Sequence, residues 1–372
     1  MRIAMIGHKR FGSREGGVEV VVTELARRMV ALGHEVTCYD RSGRDVMTGD
    51  ATSSERIEDG VRVVPVRTID AKGLAALSSS FFATLRAIRH RPDVIHYHAE
   101  GPCVPLRLAH WADIRTIATI HGLDWQRAKW GRLASAYIKL GERTAAKCAD
   151  QVIVLSRAAQ DYFREAYGRE TVLIPNGVDL HNPLPARKIS DCWGLEKGSY
   201  LLYLGRIVPE KRVDLLIEAF KGLETDKRLV IAGAASDTSS YWQEVKELAS
   251  DDGRITFTGF VSGRPLEELY SNAYCYVLPS DVEGMPLSLL EAMAYGCCCV
   301  TSDIPECADV LAGTGVTFPR GDVAELRTAL ATLLADVSGA ASLGKAAREW
   351  VGNTYDWDSV VRRTLDLYGE AR

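Results

Sequence analysis

Glu283 and Glu291 are separated by seven residues, the first in a loop and the second on the helix that follows. The run Cys275-Tyr276-Val277-Leu278 reads as a buried strand broken at Pro279 and Ser280, and residues 286–295 have helical spacing. At that helix start the amides of Gly284, Met285 and Leu287 can face an anion, whereas Pro286 donates nothing. An ordinary acidic helix start accounts for the same residues. Upstream, Gly205 permits a close turn beside Arg206, a planar fork of donors, and Lys211, a mobile point charge. Two cations of different type near a strand end suit a diphosphate. His121, in Thr119-Ile120-His121-Gly122-Leu123-Asp124, falls just past the carboxyl end of a strand. An imidazole there can bond a hydroxyl or share a proton, with Asp124 as an acceptor or orienting group.

Such residues need a scaffold that collects strand ends on one side. Apolar runs of four to eight residues alternate with helical patterns, which predicts parallel strands joined by crossover helices. Strands are expected at 2–7, 34–40, 61–66, 93–98, 115–120, 151–155 and 171–174, and again at 199–204, 229–233, 255–259, 273–278, 297–301 and 316–318. In such folds ligands bind at the carboxyl ends of strands. Gly16-Gly17 follows the first strand at a helix start, where the pair either eases a tight turn or brings backbone against a ligand. The intervening GHKRFGSREGG matches neither the dinucleotide fingerprint nor a P-loop. Gly259-Phe260-Val261 ends another strand, and exposed backbone at Val261 can hydrogen-bond a base edge.

At 372 residues and 47% apolar content the chain can build two cores, so two domains are expected, 1–182 and 183–355, with a last helix from 356 to 372. The polar stretch from His181 to Gly198 reads as their linker. No run of about 18 apolar residues occurs, and the chain opens on a strand-like segment, so neither a membrane span nor a secretory signal is expected. Nine cysteines without CxxC spacing imply reduced, mostly buried thiols and a cytoplasmic protein. Residues 1–185 carry 26 Lys and Arg against 21 Asp and Glu, which leaves 19 against 28 for the remainder. A basic first half favours anionic surfaces or phosphate-bearing substrates. No basic run is interleaved with aromatics as single-strand nucleic-acid binding needs.

Residues 125–148 form an amphipathic helical pattern in which Trp130, Leu133, Tyr137 and Leu140 share one face and Arg132, Lys139 and Arg143 another. Packing of the apolar face on the parent sheet is the expectation, with contact to anionic lipid as the alternative. His96 and His98 alternate along one strand and point the same way, as cleft-edge or packing residues. Asp356-Trp357-Asp358 has the form of a metal-carrying Asp-x-Asp, but its place at a helix start is that of an acidic cap. No metal is expected.

Taken in order, Gly16-Gly17, His121-Gly122, Asn176-Gly177-Val178-Asp179, Gly205-Arg206 with Lys211, and Glu283 through Glu291 followed by Ala292-Met293-Ala294-Tyr295-Gly296 resemble the retaining glycosyltransferases of family 4. That resemblance implies the α/β GT-B fold, two Rossmann-like parallel-sheet domains facing each other across a cleft. It implies a nucleotide-diphosphate sugar bound mainly by the second domain and a saccharide or lipid-linked acceptor held mainly by the first. Arg206 and Lys211 would bind the diphosphate, Glu291 the ribose hydroxyls, and Glu283 and His121 the donor sugar. Gly16 and Gly17 would let backbone approach the phosphates or the acceptor, and Asp124 is assigned to the acceptor. Pro286 stands where the family loop often has glycine, which bears on which amides meet phosphate. HGLDWQRAKWG also resembles a subgroup of bacterial polysaccharide enzymes. A sugar-nucleotide epimerase or phosphorylase on the same fold, or a silent sugar-nucleotide-binding protein, would share these motifs.

Overall fold

The computed structural model describes residues 1–43, 54–69, 74–126, 131–234 and 239–370. The chain divides into two compact units, Met1–Asn176 with Trp357–Arg372, and Gly177–Asp356. Each has its own apolar core.

Unit 1 is built on β1 (Arg2–Ile6), β2 (Glu35–Arg41), β3 (Arg56–Glu58), β4 (Val61–Val66), β5 (Val94–His98), β6 (Arg115–Ile120), β7 (Gln151–Val154) and β8 (Val172–Leu173). They lie in the order β3-β4-β2-β1-β5-β6-β7-β8. All pairings are parallel except β3 with β4. The short antiparallel β3 has no counterpart in the sequence reading, since three residues with Ile57 exposed carry no readable apolar pattern. Helices α1 (Gly17–Ala31), α2 (Leu74–His90), α3 (Leu106–Trp111), α4 (Arg132–Cys148) and α5 (Arg157–Tyr167) connect the strands. The run of buried Val, Ile and Ala on β5, β6 and β7 is what a sheet covered on both faces requires.

Unit 2 repeats the scheme with β9 (Tyr200–Leu204), β10 (Arg228–Ala232), β11 (Ile255–Gly259), β12 (Cys275–Leu278), β13 (Cys298–Ser302) and β14 (Val316–Phe318) in the all-parallel order β11-β10-β9-β12-β13-β14. Its helices are α6 (Lys188–Trp193), α7 (Val213–Lys221), α8 (Ser239–Ala249), α9 (Arg264–Asn272), α10 (Leu287–Ala294), α11 (Pro305–Leu311), α12 (Val323–Ala335) and α13 (Val337–Thr354). Helix α14 (Trp357–Gly369) belongs to unit 1, where Trp357 is buried beneath the Arg28 guanidinium and Arg115 bonds the Leu367 carbonyl. Among the described residues no helix is long and apolar enough to cross a membrane.

Two expectations change. The stretch from His181 to Gly198, read as a linker, belongs to unit 2: its helix α6 is fastened by the Glu268 carboxylate, which accepts the Arg187 and Ile189 amides at 2.9 and 3.3 Å. On α4 the leucines face outward, Leu133 being 90% and Leu140 50% exposed. Its buried face is Ile138, Gly141, Glu142 and Ala145 instead, because small residues let the helix come closer than leucines would. Trp130, assigned to the same apolar face, lies outside the described residues.

Candidate functional site

Each sheet reverses its strand order once, between β1 and β5 in unit 1 and between β9 and β12 in unit 2. Loops diverge there at the carboxyl ends and leave room for a ligand. Gly16, Gly17, Gly205, Arg206, Lys211 and Glu283 follow strands at these two points, whereas His121 and Asp124 follow β6, Val261 follows β11 and Glu291 lies on α10.

In unit 2, β9 leads into Gly205 and Arg206, and β12 leads into Ser280 to Glu283. Lys211, in the 3-10 turn Pro209–Lys211, forms an ion pair with Glu283 and so ties one loop to the other. Both side chains are largely withdrawn from solvent, at 13% and 6% exposure. The Asp281 amide donates to the Glu210 carbonyl at 2.9 Å, and Arg212 reaches Asp281 at 3.3 Å. The Tyr276 hydroxyl lies 2.7 Å from Ser288 on α10. Arg206 is half-buried and in no ion pair among the described residues. Below these loops Tyr203 is fully buried and donates to the Arg206 carbonyl at 2.9 Å. Burial, followed by the nearby Glu283 charge, pushes its phenol far up, while Arg206 pulls it down. Lys211, Glu283 and Arg206 therefore share one electrostatic neighbourhood.

Helix α10 starts at Leu287 after an extended Pro286, with Glu283, Gly284 and Met285 buried in the turn before it. Its first amides have no carbonyl within the helix to bond. The Ser280 hydroxyl, which the sequence reading passed over, is buried in the same loop with no partner among the described residues. Glu291 is half-exposed further along α10 and accepts the Tyr270 hydroxyl at 2.9 Å. Tyr270 in turn stacks on Tyr295 with ring centroids 5.5 Å apart. Val261 lies half-buried in the loop after β11. Gly205 is held against the neighbouring strand, its amide bonding Ala232 and its carbonyl pressed by Gly233, where a Cβ would come within 1.9 Å. Gly233 has φ +154, so both space and conformation demand glycine. Its importance was invisible in the sequence because the partner lies on another strand.

In unit 1, the same device recurs at Gly7, where a Cβ would lie 2.1 Å from the His98 carbonyl oxygen across the β1–β5 junction. His96 and His98 are fully buried, so of the two readings offered they are packing residues, not cleft-edge ones. His96 is held by Tyr368 and Thr119 at 2.6 and 2.7 Å. His98 Nδ1 lies 3.1 Å from His121 Nε2. Burial holds both inner imidazoles neutral, His96 with a pKa down to about 3 and His98 well below the usual histidine value. His121 itself is half-exposed just past β6. Asp124 follows in a 3-10 turn, its amide bonded to the Glu100 carboxyl at 2.9 Å.

Gly16 caps α1 in an extended conformation open to any residue, and what it provides is space: a Cβ would meet the Glu19 carboxylate at 2.5 Å. That buried carboxylate accepts the Lys9 amide at 2.9 Å. Gly17 is exposed as the first helical residue. The loop between β1 and α1 is pinned by Asp40, fully buried at the end of β2, which meets His8 at 3.1 Å, the Phe11 amide at 2.8 Å and Arg56 at 3.1 Å. Asp40 was also missed, since its partners come from β3 and a loop remote in sequence.

Residues 15–182 match the family described as Glycosyltransferase Family 4, and residues 198–336 match Glycosyl transferases group 1. The chain is 30% identical over 402 residues to the glycogen synthase of Mycobacterium tuberculosis, covering 100% of this chain and 95% of that protein. It is 29% identical over 387 residues to the GDP-mannose-dependent alpha-(1-6)-phosphatidylinositol monomannoside mannosyltransferase of Mycolicibacterium smegmatis, covering 97% of each. Anabaena HepE, solved in complex with UDP and glucose, shares the fold with a TM-score of 0.81 at 18% identity over 98% of both chains.

Proposed function

Because the chain belongs to glycosyltransferase family 4 and has the GT-B fold, we propose that it moves a hexosyl or deoxyhexosyl unit from a nucleotide-diphosphate sugar to a saccharide or lipid-linked acceptor, with retention at the anomeric carbon. Polysaccharide assembly at the cytoplasmic side of the cell envelope is the setting this suggests. The observation that carries the reading is the Lys211–Glu283 pair, which bridges the two loops at the strand-order reversal of unit 2 beside Arg206. HepE was solved with UDP, and the mycobacterial relative is named for GDP-mannose, so a nucleotide diphosphate is the common chemistry.

In this reaction the bond from the anomeric carbon to the diphosphate oxygen breaks as the acceptor oxygen joins the same face of that carbon. The acceptor proton passes to the leaving diphosphate. Charge builds on the diphosphate, and Arg206, Lys211, the amides of Gly284 and Met285 in the turn before α10 and that of Leu287 at its start are the groups we assign to it. Glu283 holds Lys211 in place and takes the sugar hydroxyls, while Glu291 takes the ribose. Gly205 and Val261 border the nucleotide. Unit 1 is assigned the acceptor, through Asp124, with His121 assigned to the donor-sugar hydroxyls and Gly16 and Gly17 to the phosphate side. With cationic side chains supplying the neutralisation, turnover needs no divalent metal and persists in excess chelator.

The exposed face of α4 presents Arg132, Leu133, Lys139, Leu140 and Arg143, a basic surface with apolar tips that suits peripheral contact with anionic lipid. Flotation with anionic vesicles tests it, and Leu133→Glu with Leu140→Glu should abolish the association. The function itself is tested by thermal-shift screening of nucleotide sugars, then by acceptor-dependent release of the nucleoside diphosphate. Isomerised donor without acceptor, or no release with any pair, contradicts it.

A further inference from the structure

Two carboxyl groups meet inside unit 1. Glu100, in the turn after β5, and Glu142, midway along α4, are both fully buried, and Glu142 lies close enough to raise the Glu100 carboxyl. Gly141 sets the approach: a Cβ there would lie 2.0 Å from the Glu100 carbonyl oxygen, so only glycine lets α4 come so near. Glu142 gathers three donors, the Trp125 indole at 3.1 Å and the hydroxyls of Tyr162 at 2.8 Å and Tyr167 at 2.5 Å. Glu100 receives one, the Asp124 amide on Oε2, and its Oε1 has no donor among the described residues.

Among the described residues the titratable groups facing Glu100 are Glu142 from α4, Asp124 from the turn after β6, Cys103 from its own turn and Tyr162 from α5, and none of them is a cation. Tyr167 of α5 bonds Glu142, and Lys139 of α4 sits over the Trp125 ring at 3.8 Å from its centroid. Neither carboxyl has an ion-pair partner among the described residues. Two neighbouring carboxyls buried without a cation resist ionising together.

We propose that Glu100 and Glu142 hold one proton between them, carried on Oε1 of Glu100, and that this proton positions the turn bearing His121, Asp124 and Trp125 for the transfer reaction. The inference rests on the assignment of that turn to the acceptor. Both are positioning residues, since Glu100 holds the turn by the Asp124 amide and Glu142 by the Trp125 indole. Burial, with Glu142 next, raises Glu100 well above the ordinary carboxylate range, in keeping with the geometry. Loss of the proton leaves two neighbouring like charges and loosens both anchors. Glu100→Gln replaces the titrating proton with a permanent N–H donor of the same shape.

The test uses the full chain without substrate first. Infrared spectra of the wild type at neutral pH should show the C=O stretch of a buried protonated carboxylic acid, absent in Glu100→Gln. Emission of Trp125, taken as wild type minus Trp125→Phe, should shift on alkalinisation in the wild type and stay constant in Glu100→Gln. In transfer assays the wild-type KM for acceptor should then rise about tenfold toward alkaline pH, with that of Glu100→Gln flat and nucleotide affinity equal in both. An infrared spectrum unchanged by Glu100→Gln overturns the shared proton, and a Trp125 emission or acceptor KM with the same pH course in both overturns its positioning role. Absence of transfer in every protein, with the infrared and emission differences present, contradicts the glycosyltransferase reading and leaves the proton pair standing.

Discussion

The Nδ1 of His98 lies 3.1 Å from the Nε2 of His121, so the half-exposed imidazole leans on a buried one. Behind His98 the His96 ring packs at 4.1 Å between centroids, and His96 reaches the Tyr368 hydroxyl on α14. A partner that stays neutral orients His121 without adding charge. His98→Phe keeps the bulk and removes the bond, and it should lower kcat about tenfold, roughly 1.4 kcal/mol. Nucleotide affinity, assigned to unit 2 by the proposal above, should not change. Steady-state kinetics beside nucleotide titration distinguish this from general unfolding, which would move both.

The same two histidines give the fold an acid-sensitive core. Their folded-state values lie below that of an unfolded histidine, so the unfolded chain binds protons that the folded one refuses. Their contribution is present above about pH 6.5 and is lost as pH falls, at about 1.4 kcal/mol per pH unit for each. His96→Gln keeps bonds toward Tyr368 and Thr119 but does not titrate. Urea unfolding between pH 7 and 5 should show the wild type losing stability relative to this variant, and parallel curves would contradict the account.

Lys211 and Glu283 form a pair withdrawn from solvent, so removing one partner strands the other. Lys211→Ala or Glu283→Ala should each lower transfer 10²- to 10³-fold, about 3–4 kcal/mol of transition-state stabilisation. Each should also cost stability, by about 3 kcal/mol. The double variant should be more stable than the two losses added together, because neither charge is then left alone. A double-mutant cycle in urea checks the sign of that coupling.

Gly233 is the keystone of the Gly205 turn. Gly233→Ala drives a Cβ into the Gly205 carbonyl oxygen and places alanine at φ +154. It should destabilise unit 2 by about 3 kcal/mol and weaken nucleotide binding with it. Gly253→Ala, where a Cβ meets nothing within 4 Å, is the control.

The alternation of apolar runs with helical spacing was enough to read every strand of both sheets but β3, because strands buried on both faces leave continuous Val, Ile and Ala runs such as Val152-Ile153-Val154. The loop positions of Gly205, Arg206, Lys211 and Glu283 were legible too, because each follows the end of a readable apolar strand. What periodicity missed is polar and buried. Glu100, Glu142 and Asp40 each draw partners from 15 or more residues away along the chain, so nothing local betrays them. Periodicity also misled on α4, where Leu133 and Leu140 have core spacing yet face outward, and Gly141 marks the face that packs.

The central claim is that unit 2 grips a pyrophosphate with Arg206 and Lys211. Calorimetric titration of UDP, GDP and ADP into the wild type, Arg206→Ala and Lys211→Ala tests it most directly. At least one nucleotide should bind the wild type saturably, and each variant should weaken it tenfold or more while remaining folded. Equal affinity in all three proteins, or binding of none, would contradict the account.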